Sequence, residues 1–230
     1  MFGWYYDPTY MLVIFAFVLT LIASGGVKRT FSKYNRVRNA RGMTGADAAR
    51  MILNRNGLSN VAIERVSGAL TDHFDPRTNV LRLSDSTYAS DSVAAVGVAA
   101  HEAGHAIQHA DGYTPIRVRN AIVPVVNISS NLALPLFFVG VILGNSLFAN
   151  IGIVLFSAAL IFQLITLPVE FNASRRAISI LGESNMLYED ELKQTKKVLS
   201  AAAMTYVAGV AASLLQLLRL VLIANRHRRD

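Results

Sequence analysis

Charged side chains are absent from three long stretches of this chain: residues 8–27, 120–169 and 198–218, of 20, 50 and 21 residues. A helix needs about 20 mainly apolar residues to cross the hydrocarbon layer of a bilayer. The first and last stretches therefore predict one span each. The middle one predicts two, joined by the turn-forming Gly144-Asn145-Ser146. The reading is a mainly α, polytopic membrane protein with about four transmembrane helices. Within the second span, Pro124, Asn127, Ser129, Ser130, Asn131 and Pro135 are expected to face protein, because polar groups in lipid turn inward.

Between the spans the apolar periodicity shortens. Thr44 is a fitting N-cap for a helix carrying Ala48, Ala49, Met51, Ile52 and Leu53, with Gly57 at its stop. Residues 61–66 read as a short strand, Asp72-His73-Phe74-Asp75-Pro76-Arg77 as a turn, and residues 79–84 as a half-exposed strand. A helix over residues 93–108, capped by Ser90 or Asp91, opens with a small, apolar run that should be buried. Asp91 and Glu102 bound that run too closely for a membrane crossing. The predicted order is an anchor (1–27), a small α+β region (28–119), a transmembrane hairpin (120–169), a helical region (170–197) and a last span with a basic tail (198–230).

Charge sets the orientation. The chain is 53% hydrophobic and only 16% charged, with a net charge of +7, against about 25% charged in ordinary soluble domains. Lys28, Arg29, Lys33, Arg36, Arg38 and Arg41 follow the first span, Arg117 and Arg119 precede the second, and Arg175 and Arg176 follow the third. The positive-inside rule then places these flanks in the cytoplasm, beside anionic headgroups, and the N-terminus outside. No recognition helix or aromatic–basic repeat supports nucleic-acid binding. Met1–Tyr10 lacks a basic start, so it reads as a retained anchor rather than a signal peptide, with Trp4, Tyr5, Tyr6 and Tyr10 in an interfacial belt. One feature opposes this topology: Arg226-His227-Arg228-Arg229 would end outside. The alternative is a re-entrant or interfacial helix over residues 198–225; with four spans, Arg219 snorkels near its far end. The chain has no cysteine, which excludes disulfides, thiolate zinc ligands and a cysteine nucleophile.

Candidate chemistry centres on His101-Glu102-Ala103-Gly104-His105. Helix positions i and i+4 share a face, so His101 and His105 aim at one point as ligands of a single zinc ion, with Glu102 in reach of a water there. A catalytic zinc takes three protein ligands and keeps an open position. The metzincin pattern is excluded, because Gln108 and Asp111 stand where it requires Gly and His. His109 lies too far along the helix and reads as a polar end residue. A carboxylate from elsewhere is needed. Glu170 is the strongest candidate, since Ala173, Ser174, Ala103 and Gly104 let two helices approach closely; Glu183, Glu189 and Glu191 are rivals in more polar sequence.

The two segments around His101 and Glu170, with Asp75-Pro76 and Leu81-Arg82-Leu83-Ser84, resemble the YugP-type family of bacterial membrane zinc metallopeptidases, over nearly the whole chain. More distantly they are similar to HtpX and the CAAX prenyl proteases, gluzincins whose third ligand is the Glu of an E-x-x-A-D segment. Glu170 and Ala173 match that segment, while Ser174 replaces its Asp, which orients a ligating histidine. Asn172 or Ser174, or a carboxylate such as Asp91 or Asp111, is then expected to take over. The resemblance implies one catalytic zinc, a zincin-like metallopeptidase region and peptidase activity in a bacterial plasma membrane.

The mechanism expected from these residues is peptide hydrolysis at the cytoplasmic face, with His101, His105 and Glu170 holding zinc and Glu102 as general base and acid. Protein or peptide substrates, membrane proteins among them, are expected to add to residues 79–84 as an edge strand. His73, Tyr88, Tyr113 and Arg175 are candidates to stabilise the oxyanion. Two other readings stand beside this one. In an intramembrane protease the histidine pair would lie within a span, whereas here it lies outside the charge-free stretches. In an inactive zinc-binding scaffold a fourth ligand is expected, and none is evident.

Overall fold

A computed structural model describes residues 7–227. The aromatic belt read at Trp4, Tyr5 and Tyr6, and the tail residues Arg228 and Arg229, lie outside the described residues. The order of elements is α1 (Tyr10–Tyr34), α2 (Gly45–Arg55), β1 (Ala62–Val66), β2 (His73–Asp75), β3 (Val80–Ser84), α3 (Val93–Ala110), α4 (Thr114–Ile142), α5 (Ser146–Glu183) and α6 (Glu189–His227). The protein is mainly helical, with a small three-stranded sheet. Four helices, α1, α4, α5 and α6, are long and apolar enough to cross a membrane, which is the predicted fold class.

Two compact units divide the chain. The first takes the described residues up to Ser24, Val118–Leu167, and those from Thr205 onward. Its large apolar side chains, such as Phe15, Ile22, Ile128 and Leu147, point outward. Lipid removes the hydrophobic penalty for that arrangement, so packing relies on close contact instead. Gly152 supplies such a contact, since a Cβ there would fall 2.7 Å from the Ala133 carbonyl oxygen. Phe137, Ala149, Leu220 and Ala224 form the buried seam. Of the polar positions expected to face protein, Ser129 is buried, whereas Asn127, Ser130 and Asn131 are exposed. The seam follows the small and aromatic residues, and those three side chains fall off it. The last helix runs without a break from Glu189 to His227. Arg219 lies over the Tyr10 ring, 4.7 Å from its centroid, with its Nε 3.3 Å from Thr9 Oγ1 at the start of α1.

The second unit comprises Gly25–Arg117 and Pro168–Met204. Thr44 caps α2 through a capping box: its Oγ1 accepts from Asp47 N at 3.1 Å, and its own N–H donates to Asp47 Oδ2 at 3.0 Å. The cap of α3 is Ser92, which accepts from Ala95 N. Ser90 and Asp91 were the expected caps, but Ser90 donates to Ser92 and Asp91 pairs with Arg38. Ala94, Ala95, Ala99, Ala100 and Ala103 are fully buried, as their small apolar run predicts. Ala99, Ala100 and Ala103 join Ile52, Leu53, Leu81, Leu83 and Leu181 in the main core, while Ala94 packs in a second cluster with Phe31, Tyr34, Val93 and Val198.

The sheet corrects two expectations. Its order is β1-β3-β2, so residues 79–84 supply the central strand rather than an edge. β3 runs parallel to β1, Ala62 opposite Val80, and antiparallel to β2, with His73 opposite Arg82. The predicted turn at residues 72–77 contains an edge strand, β2, and only Pro76 onward turns. Asp75 closes that turn by accepting from Thr78 Oγ1 and Arg77 N, which hold its pKa down at about 2.

Candidate metal centre

His101 and His105 project from one face of α3, one turn apart, with ring centroids 4.7 Å apart and the rings edge-on at 85°. The side chain facing them belongs to Glu170. Its Oε2 lies 3.3 Å from His101 Nε2 and 3.6 Å from His105 Nε2. The three ligand atoms all fall within 4.8 Å of one another. Glu170 is 3% exposed and His105 8%, so this is an interior cluster rather than a surface coincidence. Close approach of α3 and α5 makes it possible: a Cβ on Gly104 would fall 2.9 Å from the Ala173 carbonyl oxygen. The helical region expected over residues 170–197 would begin at Glu170. The structure instead runs α5 unbroken through Pro168, at the loss of one backbone donor.

The far sides of both imidazoles are held. Ser174 Oγ lies 3.1 Å from His101 Nδ1. His105 Nδ1 meets Gln108 Oε1 at 3.0 Å. Gln108 is fully buried, and its Nε2 donates to the Val169 carbonyl at 2.9 Å and to Asn172 Oδ1 at 2.9 Å. A carbonyl only accepts, so the amide must present its NH₂ to Val169 and its oxygen to His105. His105 Nδ1 therefore carries a proton toward Gln108, which leaves Nε2 as the nitrogen that faces Glu170 and the shared point. That is the tautomer a ligand through Nε2 requires.

The relay continues outward. Arg176 Nε donates to Asn172 Oδ1 at 3.0 Å, and its other arm pairs with Asp111. Of the expected partners, Ser174 thus acts directly, Asn172 and Asp111 act through Gln108 and Arg176, and Asp91 is engaged elsewhere, with Arg38. Sequence reasoning passed over Gln108. Its only signal was a position one turn beyond His105.

Glu102 points to the sheet, where its Oε2 accepts from Phe74 N on β2 at 3.1 Å. Burial by itself would lower the His105 pKa. The hydrogen bond to Glu170 and the charges of Glu102 and Glu170 outweigh burial, so the pKa lies above its ordinary value. His109 is exposed near the helix end, 6.0 Å ring to ring from Phe74 and outside the cluster. The rival carboxylates are committed elsewhere: Glu183 accepts from Ser179, Glu189 pairs with Lys193, and Glu191 accepts from Ala40 N. His73 turns to the Thr71 carbonyl, Tyr88 packs on the core and Arg175 lines a separate groove. Among the described residues, neither these three nor Tyr113 is hydrogen-bonded to the two histidines.

Two imidazoles and a carboxylate, converging from fixed and oriented side chains, are the donor set of an open zinc site with room for a further ligand. The residues present fit the metal.

Comparisons with known proteins agree with this donor chemistry. A family model described as "Putative neutral zinc metallopeptidase" matches residues 9–225. A relative from Bacillus subtilis (strain 168), "Putative membrane protease YugP", is 49% identical over 219 residues, which cover 95% of this chain and 97% of the relative. No solved structure matches.

Proposed function

This chain belongs to the neutral zinc metallopeptidase family, and from that membership we propose a gluzincin-type endopeptidase that works at the cytoplasmic face of a bacterial plasma membrane. The observation that carries the reading is the convergence of His101, His105 and Glu170 beside a general base, Glu102. These three residues would hold one zinc ion. Bound there, zinc supplies a Lewis acid for the scissile carbonyl and lowers the pKa of a coordinated water to about 7.

The protein's own groups do the rest. Glu102 is steadied through Oε2 by the Phe74 N–H, which leaves its other oxygen to take the proton of the attacking water. It then delivers that proton to the leaving amine, so peptide bond cleavage balances as water added across C–N. Because β2 is an edge strand and, unlike the other edge β1, meets Glu102, an extended protein segment would add along β2 rather than along β3. Ser174 and Gln108 hold the imidazoles in orientation throughout.

Two features favour this reading over its alternatives. The histidine pair lies on α3, an 18-residue helix that is not among the four span candidates, which speaks for chemistry at the boundary and against a bond cut within lipid. No fourth side-chain ligand joins the cluster among the described residues, which is the pattern of an open, catalytic site rather than a closed structural one. The basic flanks, including Arg36, Arg38 and Arg41, support a cytoplasmic setting for this unit.

Metal removal tests the proposal. Purified protein in detergent is expected to cleave unfolded membrane proteins, to stop after exhaustive chelation and to resume with one equivalent of zinc. Cleavage that survives complete metal removal overturns it. A separate expectation concerns Gln108. Gln108→Leu should weaken zinc binding by about 10–100-fold, the usual cost of losing a partner that orients a ligand, as read by competition with a chelator of known affinity. An unchanged affinity would mean that Gln108 only fills space.

A further inference from the structure

We propose that an anionic phospholipid binds in a groove between α1 and α6 of the second unit, phosphate first, with an acyl chain in the adjoining groove between α5 and α6. The first groove, about 690 Å³, is lined by Arg29, Lys33, Lys193, Lys196 and Lys197, with the hydroxyls of Thr30 and Ser200 between them. That volume lies within the range of ordinary ligand pockets. No carboxylate lines it. Lys193 is paired with Glu189 at 2.8 Å, but Arg29, Lys196 and Lys197 have no ion pair among the described residues. Several cations brought together without a counter-charge repel one another, and a phosphate relieves that repulsion.

The ligand is amphiphilic because the cavity is. Lys196 and Ser200 also line a second groove of about 630 Å³, whose walls include Phe171, Ile178, Leu199, Ala203 and Met204. A free phosphate would use only the basic part. Sequence position agrees with a lipid: Arg29 and Lys33 directly follow the charge-free residues 8–27, and Lys193, Lys196 and Lys197 directly precede residues 198–218. Both sets therefore sit where a span meets the headgroup layer. The apolar groove also carries Ser174, which holds His101. A lipid bound there lies one side chain from the metal ligands without occupying their site.

The inference rests on the membrane reading and not on peptidase chemistry, so its test measures binding alone. Full-length protein in a neutral detergent is titrated with phosphatidylglycerol, phosphatidylcholine and inorganic phosphate, and bound lipid is counted by native mass spectrometry. Phosphatidylglycerol is expected to bind tightly, phosphatidylcholine and phosphate poorly. Each basic side chain near a headgroup contributes about fivefold, so the double variant K196Q/K197Q should bind phosphatidylglycerol about twenty-five-fold more weakly. R29Q/K33Q, altered on the other wall, should do the same and covers the case in which the first variant misfolds. R55Q/R77Q removes equal charge from exposed positions elsewhere and should leave binding unchanged. The proposal is overturned by equal binding of the two lipids, by inorganic phosphate binding as tightly as phosphatidylglycerol, by full affinity in a folded groove variant, or by an equal loss in R55Q/R77Q.

Discussion

Glu102→Gln protein is expected to bind zinc as the parent does and to lose peptide hydrolysis by about 10²–10⁴-fold, the contribution typical of a positioned general acid–base group. The substitution is close to isosteric. The amide oxygen still accepts from the Phe74 N–H, which anchors Glu102 Oε2 at 3.1 Å, so β2 and α3 keep their contact. What disappears is the basic oxygen: an amide has no pKa near neutrality and can neither take the water's proton nor return it to the amine. Because Glu102 is not in the His101–His105–Glu170 group, metal content should stay at the parental level. Comparing kcat/KM and zinc content on the same preparations makes the test. A variant that keeps both its zinc and the parental rate sinks the assignment of Glu102, while parent protein with zinc but no measurable hydrolysis favours the scaffold reading.

The second large effect is expected at Glu170. Glu170→Gln should weaken zinc binding by more than the ~10–100-fold usual for partners that merely orient ligands, because it replaces a ligand itself. Oε2 faces both imidazoles and is 3.3 Å and 3.6 Å from their Nε2 atoms, so the carboxylate supplies the one negative charge among the three donors. The neutral amide fits the buried position without a desolvation cost for charge. α3 and α5 should remain packed through Gly104 and Ala173. Melting behaviour near that of the metal-free parent, together with loss of zinc in a chelator competition, is the expected pair of results. Parental zinc affinity in a folded Glu170→Gln protein would remove Glu170 from the site.

Some features needed no tertiary information. The helical repeat puts His101 and His105 on one face whatever surrounds them. The long uncharged stretches imply spans because the cost of an unsatisfied backbone in lipid leaves few alternatives. Thr44 caps α2 because its hydroxyl satisfies an amide three residues away. Glu170 was reachable by chemistry, as a carboxylate flanked by small residues, but nothing local distinguished its distance to α3 from that of its rivals.

Other features misled because local pattern and three-dimensional setting diverge. Residues 79–84 alternate like a half-exposed edge, yet β3 is central. Its polar position, Arg82, is covered by Glu64 on β1 at 3.2 Å and by Asp75 on β2 at 3.3 Å, so a charge sits in the middle of a sheet with both neighbours neutralising it. β2 was hidden by turn chemistry beginning at its own last residue, Asp75. The boundary expected between residues 169 and 170 is absent and the helix runs through Pro168, because Val169, Ala173 and Ala177 are fully buried and that packing outweighs one missing donor.

By itself, then, the amino-acid order determined the spans, the paired histidines and the residue classes able to complete a metal site, because those follow from hydrophobic length and helical period along one segment. Only the tertiary structure decided that Glu170 faces both imidazoles, that Gln108 sets the His105 tautomer and that β2 is the edge beside Glu102. Each of those depends on which atoms meet across residues far apart in sequence, as where the Val169 carbonyl turns the Gln108 amide, and no local periodicity encodes such a meeting.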